Sequence, residues 1–341
     1  MGLLSLFNKE LAMDLGTANS IVIYNDQVVI DEPSIVAFNR QNQKIMAVGK
    51  QAQLMDGKHD KCIETIRPLQ GGVIADYEMA QHMIRELIRM TNISRSFMPP
   101  SLRMVIGIPS GITNVEQRAV REAAEQAGAK EIKMIHEPMA AAIGIGIDVL
   151  EPYGHMVVDI GGGTAEIAVI SLGGIVCNRS IKVAGDNFNT DIMDYMRRQH
   201  NIVIGVRTAE TVKWECGSAI SELDNPPADY DTLGRDVLTG LPKQISVNYK
   251  EIAHALDKSI TAIEQAVLDT LADTPPELAA DIYRTGIYLA GGGALLRGLD
   301  QRISSKTKLK VHVADDPLRA VARGTGIALK NFNKFAFLIK Q

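Results

Sequence analysis

The sequence predicts an α/β protein of two duplicated lobes, each a mixed β-sheet flanked by helices, facing one another across a cleft. The first observation behind this is a repeated segment. Residues 13–23 read MDLGTANSIVI and residues 158–170 read VDIGGGTAEIAVI. Each is an apolar run ending in Asp, then a glycine turn with a hydroxyl residue, then a β-branched run, the signature of a hairpin. Glycine at the tip removes the Cβ and lets backbone approach a neighbouring group closely. The second observation is spacing: Asp14 and Asp159 are 145 residues apart, about one domain length. The third is that strand and helix patterns begin again near Gly154, as duplication with divergence would have it, not a tandem solenoid.

The elements follow in order. After the first hairpin, 27–38 (QVVIDEPSIVAF) and 44–49 (KIMAVG) read as strands, and a mixed segment runs through 66–78 (IRPLQGGVIADYE). Residues 78–92 have helical spacing, with Met79, Met83, Leu87 and Met90 on one stripe. Residues 103–112 (RMVIGIPSGI) form a buried strand ending in a Pro-Ser-Gly turn. A helix over 113–129 carries Thr113 as N-cap, Glu116 at the capping-box position and Gly128 at its C-terminal end. Residues 131–147 (EIKMIHEPMAAAIGIGI) give a strand and then a helix of small residues that allows close packing. In the second half the GGGT hairpin leads to a strand over 174–185 and helices over 187–201 and 207–220. A polar connector over 224–241 is the least regular stretch, and 249–275 is one long helix. Strand, glycine turn and helix follow over 286–308, and a last helix over 315–332 returns to the first lobe.

Bulk properties narrow the function. A net charge of −4 with no basic stripe offers no electrostatic basis for nucleic-acid binding. Cys62, Cys177 and Cys216 are odd in number and without CxxC spacing, which argues against a disulfide framework or a zinc site and suits a reducing compartment. No apolar run approaches the roughly 20 residues that span a bilayer. The segment MGLLSLFNKE lacks the basic region and cleavage site of a secretory signal, and Leu6 stands where myristoylation requires Ser or Thr.

The chemistry resides in the hairpins. A single Asp-x-Gly turn is weak evidence, because Asp and Gly populate ordinary hairpins. The pair, with Thr17, Asn19 and Thr164 at the tips, is stronger: facing tips cradle phosphate with backbone N–H groups, and Asp14 and Asp159 hold a metal ion between them. There is no Walker segment, and GGGA at 291–294 is not the dinucleotide fingerprint. Three consecutive glycines, Gly291, Gly292 and Gly293, let a flat ring lie on bare backbone. Glu210 and Lys213 share one helix face, a spacing that taken alone describes a solvated ion pair.

Together, DLGTANS, IPSGITNVEQRAV, DIGGGTAE, LAGGGALLRGL and ARGTGIAL resemble the actin and sugar-kinase ATPase superfamily. More narrowly, EPMAAAIG, MVVDIGGGTAEIAVISLGGIV, GVRTAE and PPELAADI resemble the MreB family of bacterial actins, in order over nearly the whole chain. The resemblance implies an actin-like ATPase fold divided as a first core of 1–32, 74–145 and 322–341 with an insertion of 33–73, and a second core of 146–185 and 252–321 with an insertion of 186–251. It implies that Gly16, Thr17, Ala18 and Asn19, with Gly161, Gly162, Gly163 and Thr164, wrap the β- and γ-phosphates of ATP, and that ADP occupies the same site after hydrolysis. By the same resemblance Asp14 and Asp159 position Mg²⁺ through its waters, Glu137 orients the attacking water with Thr164 as a second polar contact, and Asp159 belongs to the catalytic set. Glu210 and Lys213 reach the ribose or adenine, and Gly291 to Gly293 support the base. Glu137 is also placed to complement a helix N-terminus ahead of Pro138, and the two roles are compatible. The chain departs from the family at His136, where a second acid is usual, and at Ala165, where a second Thr is common.

The resemblance further implies a filament of paired protofilaments on the inner face of the cytoplasmic membrane, working with cell-wall elongation and membrane adaptor proteins and not with nucleic acid. Two apolar elements are the candidate membrane contacts: Leu3, Leu4, Leu6 and Phe7 in the first segment, and Phe97 and Met98 at a loop tip before two prolines. The alternative weighed is a sugar or acid kinase of the same superfamily. It needs a catalytic Asp over a polar pocket, and no segment supplies one.

Overall fold

The computed structural model describes residues 8–42, 44–58, 62–91 and 101–335. Leu3, Leu4, Leu6, Phe7, Phe97 and Met98 lie outside them. The first lobe opens with the expected hairpin, β1 (Asn8–Leu15) and β2 (Asn19–Tyr24), antiparallel with Leu15 opposite Ser20. The turn to β3 (Gln27–Pro33) uses Asn25 and Asp26 at positive φ, residue types whose short polar side chains tolerate that conformation. A small sheet of β4 (Val36–Asn39), β5 (Lys44–Val48) and β6 (Ile63–Ile66) carries α1 (Lys50–Met55). The segment 66–78 then forms a tight hairpin, β7 (Leu69–Gln70) and β8 (Val73–Ile74), turning through Gly71 and Gly72 at φ 55° and 77°.

Helix α2 (Tyr77–Met90) starts where the Asp76 carboxylate accepts the Met79 N–H, and it buries Met79, Met83 and Leu87. Met90, the fourth member of the expected stripe, is exposed at the last turn. Strand β9 (Ser101–Ile108), helix α3 (Asn114–Gln126), strand β10 (Ala129–His136) and helix α4 (Glu137–Gly144) complete the first half. The Thr113–Glu116 capping box forms as expected, and such a cap stabilises a helix by about 1 kcal/mol.

The second lobe repeats the plan with β11 (His155–Ile160), β12 (Ala165–Ser171) and β13 (Gly174–Ile181). Helix α5 (Gly185–His200), strand β14 (Ile202–Val203) and helix α6 (Val206–Cys216) follow. The expected helix over 207–220 stops at Cys216, because Gly217 turns to extended backbone. The expected irregular connector is a correction: β15 (Tyr230–Asp236) and β16 (Pro242–Val247) pair as a hairpin inside 224–247. Only Thr232 of β15 is buried, so no apolar period marks it. Helix α7 (Tyr249–Ala272) ends short of residue 275, and a separate helix, α8 (Pro276–Thr285), begins at the Pro pair. Ile282 is the one fully buried position of α8, with Leu278 one turn before it partly buried against the same core. Then come β17 (Ile287–Ala290), a short 3₁₀ turn at Gly292–Leu295, α9 (Leu299–Thr307), β18 (Val311–Val313), α10 (Ala320–Lys330) and α11 (Phe332–Phe335).

Among the described residues the principal sheets run β3-β2-β1-β9-β10 and β13-β12-β11-β17-β18. In each, an antiparallel three-strand meander is extended by two parallel strands, so the duplication inferred from two hairpins extends to whole sheets. Helices α4 and α10 lie between the sheets and share one apolar core with both, including Val105, Ala140, Val157, Ala168 and Val321. Their crossing is set by glycine. A Cβ on Gly324 would lie 1.7 Å from the Ala140 carbonyl oxygen, and one on Gly144 would lie 1.9 Å from that of Ala320. Helix α10 also packs on β1 and β9, which returns the chain to the first lobe as expected.

Candidate functional site

The two hairpin tips meet between the lobes. A Cβ on Gly162 would lie 2.7 Å from the Ala18 methyl, and one on Gly163 would lie 2.6 Å from the Thr17 hydroxyl and 2.8 Å from the Gly71 nitrogen. The β7–β8 turn wedges against this contact. Gly72 donates its N–H to Thr17 Oγ1 at 3.0 Å, and a Cβ there would meet the Thr164 methyl. This turn belongs to the mixed segment that sequence reasoning left without a role; its Gly-Gly pair was the available signal. At the outer rim Arg207 of α6 donates to the Gln53 carbonyl of α1 at 3.4 Å.

Each tip is braced from behind through its carbonyls. Ser34 donates its N–H to the Ala18 carbonyl at 2.9 Å and its hydroxyl to that of Gly16 at 2.6 Å. In the second lobe the first N–H groups of α5, from Gly185 and Asp186, donate to the carbonyls of Gly161 and Gly162 at 3.1 and 2.8 Å. Among the described residues the N–H groups of Thr17, Ala18, Gly162 and Gly163 donate to no backbone carbonyl. Carbonyls held outward and amides left free make a surface complementary to anions. Ser34 and Asp186 carry no motif of their own and were not among the expected site residues.

Strand register gathers the acids. Asp14 on β1 sits opposite Gly107 of β9, and Gly107 faces β10 at Ile135, two residues before Glu137. The Glu137 side chain therefore lies over Gly107, 3.8 Å from where a Cβ would stand. On the other side Asp159 lies opposite Ala290 of β17 and Glu166 of β12. A Cβ on Gly291 would come within 2.5 Å of Asp159 Oδ1, so the glycine leaves room for that carboxylate. Burial pushes the Asp14 carboxyl up to about 7. Burial, then the charges of Asp14 and Glu166, push Asp159 up to about 7 as well. Glu137 is held well above the carboxylate range by burial first, then by Asp14, Glu166 and Asp159. Asp159 Oδ1 is buried without a hydrogen-bond partner.

The remaining expected residues surround this centre. Thr164 closes the second tip by accepting the Gly161 N–H at its carbonyl, 2.9 Å away. Asn19 stands exposed at the first position of β2. Lys213 on α6 donates to the Gly185 carbonyl at 3.2 Å, tying α6 to the base of the second tip. Burial lowers its ammonium while Glu210 and Asp186 pull it back up, so the Glu210–Lys213 pair is not the solvated surface pair its spacing alone describes. Gly291 at φ 76° opens the 3₁₀ turn, and Gly293 packs onto Ile160 behind the tip. Burial raises the Asp186 carboxyl against the pull of Arg67 from the first lobe and of Lys213.

Residues 8–336 match the family model described as MreB/Mbl protein. The chain is 44% identical over 333 residues to the cell shape-determining protein Mbl of Bacillus subtilis (strain 168), across 96% of this chain and 98% of that protein. It is 44% identical over 330 residues to the cell shape-determining protein MreB of Escherichia coli (strain K12), across 95% and 94%. The crystal structure of MreB 5 of Spiroplasma citri bound to AMPPNP superposes with a TM-score of 0.89 at 39% identity, covering 97% of this chain and 98% of that chain. A chain of the MamK double helical filament superposes at 0.77 with 20% identity over 95% and 99%, a likeness of fold alone.

Proposed function

This chain belongs to the MreB/Mbl family and has its actin-like fold, and we propose that it is an ATP-dependent, filament-forming, membrane-associated cell-shape protein with slow Mg²⁺-dependent ATP hydrolysis between its lobes. The observation that carries this reading is the meeting of two braced hairpin tips beside Asp14 and Asp159. The tips Gly16–Asn19 and Gly161–Thr164 wrap the phosphates, with the free amides of Thr17, Ala18, Gly162 and Gly163 as donors; Glu210 and Lys213 bind the ribose or adenine, and Gly291–Gly293 the base. Spiroplasma citri MreB 5 has been crystallised with AMPPNP and with ADP, which supports a nucleotide here. Two buried acids held near 7, one with an unpartnered oxygen, suit a divalent cation. Among the described residues no group of three or more His, Cys, Asp or Glu side chains is arranged to hold a metal. Water and phosphate oxygens would thus complete the Mg²⁺ shell, as its reluctance to dehydrate favours. When bound, Mg²⁺ supplies positive charge to the phosphate oxygens. Glu137 orients water for in-line attack, and Thr164 adds a second polar contact.

We assign the two cores and two insertions to the boundaries that the family resemblance implies. ATP favours lobe closure, closure favours the contact between copies, and hydrolysis biases disassembly. Filaments of paired strands would lie on the inner membrane face with wall-elongation and adaptor proteins. Among the described residues no helix is long and apolar enough to cross a membrane. The membrane contact is assigned to Leu3, Leu4, Leu6, Phe7, Phe97 and Met98. Each large apolar side chain contributes roughly 1.5–3 kcal/mol at most, so one copy binds weakly and a filament binds strongly. The test is sedimentation of purified protein with ATP and Mg²⁺, with and without anionic liposomes. Nucleotide-dependent pelleting supports the reading; failure to pellet in every condition, with phosphoryl transfer to a sugar instead, overturns it.

A further inference from the structure

Glu166 follows the second tip on β12, is 1% exposed, and has no part in the reaction proposed above. Its Oε2 accepts the N–H of Ser110 at 3.0 Å and the Ser110 hydroxyl; its Oε1 accepts the hydroxyl of Ser180. The two carboxyl oxygens are thus shared between a backbone N–H and a hydroxyl of Ser110 and the hydroxyl of Ser180. Ser180 is on β13 of the same lobe. Ser110 belongs to the loop after β9, in the other lobe.

The surrounding seam has the same character. A Cβ on Gly111 would lie 3.2 Å from Ser180 Cβ, so the loop lies directly on β13. Lys182, just past β13, attracts Glu116 in the first turn of α3 and runs its side chain past Gly71. Strand β9, which ends at this loop, carries Gly107 between Asp14 and Glu137. Across β12, Glu166 is the register partner of Asp159. One carboxylate thus bonds the strand end that places Asp14 and Glu137 to the hairpin that places Asp159.

We propose that Glu166 is the clasp between the lobes, a positioning residue whose hydrogen bonds to Ser110 hold the two hairpin tips at their closed separation. The geometry stands by itself; its consequence for nucleotide release rests on the nucleotide reading above. A buried carboxyl bonded across a lobe boundary is costly to open, because opening leaves its oxygens without their partners until water enters. Closure is therefore held from behind the tips as well as by whatever lies between them.

The test uses the full chain at concentrations below polymerisation. Hydrogen exchange is followed over residues 110–113 without nucleotide, and dissociation of a fluorescent ATP analogue is followed with Mg²⁺. Glu166→Ala is expected to speed both by about tenfold, the loss expected when buried hydrogen bonds are removed. Glu166→Gln keeps an acceptor for the Ser110 N–H and is expected to fall between. Ser110→Ala removes only the hydroxyl and is expected to speed analogue release. Ser259→Ala, which removes a buried hydroxyl from Asp191 within the second lobe, is expected to change neither rate. If Glu166→Ala does not fold, Glu166→Gln and Ser110→Ala decide the matter. Wild-type rates in both of those variants overturn the clasp. If the wild type binds no analogue, the nucleotide reading fails, and exchange over 110–113 still decides the clasp.

Discussion

Gly162 faces Ala18 across the lobe boundary so closely that a methyl group on the glycine would lie 2.7 Å from the alanine methyl. Gly162→Ala is therefore expected to force the tips apart. The variant should bind a fluorescent ATP analogue at least about tenfold more weakly, as overpacking a tight contact implies. Adding Ala18→Gly should restore much of the affinity. An affinity unchanged in the single variant would mean that the tips do not set the phosphate site.

Glu137 lies over Gly107 at the head of α4, between Asp14 and the second lobe. Glu137→Ala is expected to slow phosphate release by about a hundredfold, the scale of a lost acid–base group, with analogue affinity nearly retained. A collapse of affinity instead would make Glu137 structural.

Stability should depend on pH through the aspartate pair. Asp14 and Asp159 ionise near 4 in the unfolded chain and near about 7 in the folded one. Between those values the folded state binds more protons. The contribution of these groups is thus fully present below about pH 4 and is lost as pH rises through about 7. Without nucleotide, Asp159→Asn should melt above the wild type near pH 8, with the gap closing toward pH 4. A gap that does not vary with pH would remove the buried acid as its cause.

Gly324 meets the Ala140 carbonyl where α10 crosses α4. A methyl group there cannot be relieved by a rotamer change, since both sides of the contact are backbone. Gly324→Ala is expected to lower unfolding free energy by about 3 kcal/mol or more in denaturant titration, at the upper end for overpacking. A loss under about 1 kcal/mol would show that the helices separate freely.

Deleting residues 2–7 together with Phe97→Ser should abolish co-sedimentation with anionic liposomes while polymerisation persists. Lipid binding retained by that variant would eliminate both apolar segments as the membrane contact.

Much of the fold was legible because its signals are local. Apolar runs ending in Asp and glycine marked both hairpins, the Thr113–Glu116 spacing marked the start of α3, and small residues marked α4 as a close-packed helix. The β15–β16 hairpin escaped notice because it buries few side chains and so carries little periodicity, and α8 because only three residues separate it from the end of α7.

The sequence by itself determined that Asp14 and Asp159 head matching hairpins in two lobes, since turn chemistry and alternation are written within a dozen residues. The tertiary structure alone decided that the tips touch, that Ser34 and the start of α5 turn their carbonyls away, that Gly71 and Gly72 wedge beside Thr17, and that Glu166 bonds Ser110. Each of these relations joins segments from different parts of the chain. A residue's own neighbours in sequence carry no record of which distant donor or carbonyl the packed sheets will bring within 3 Å of it.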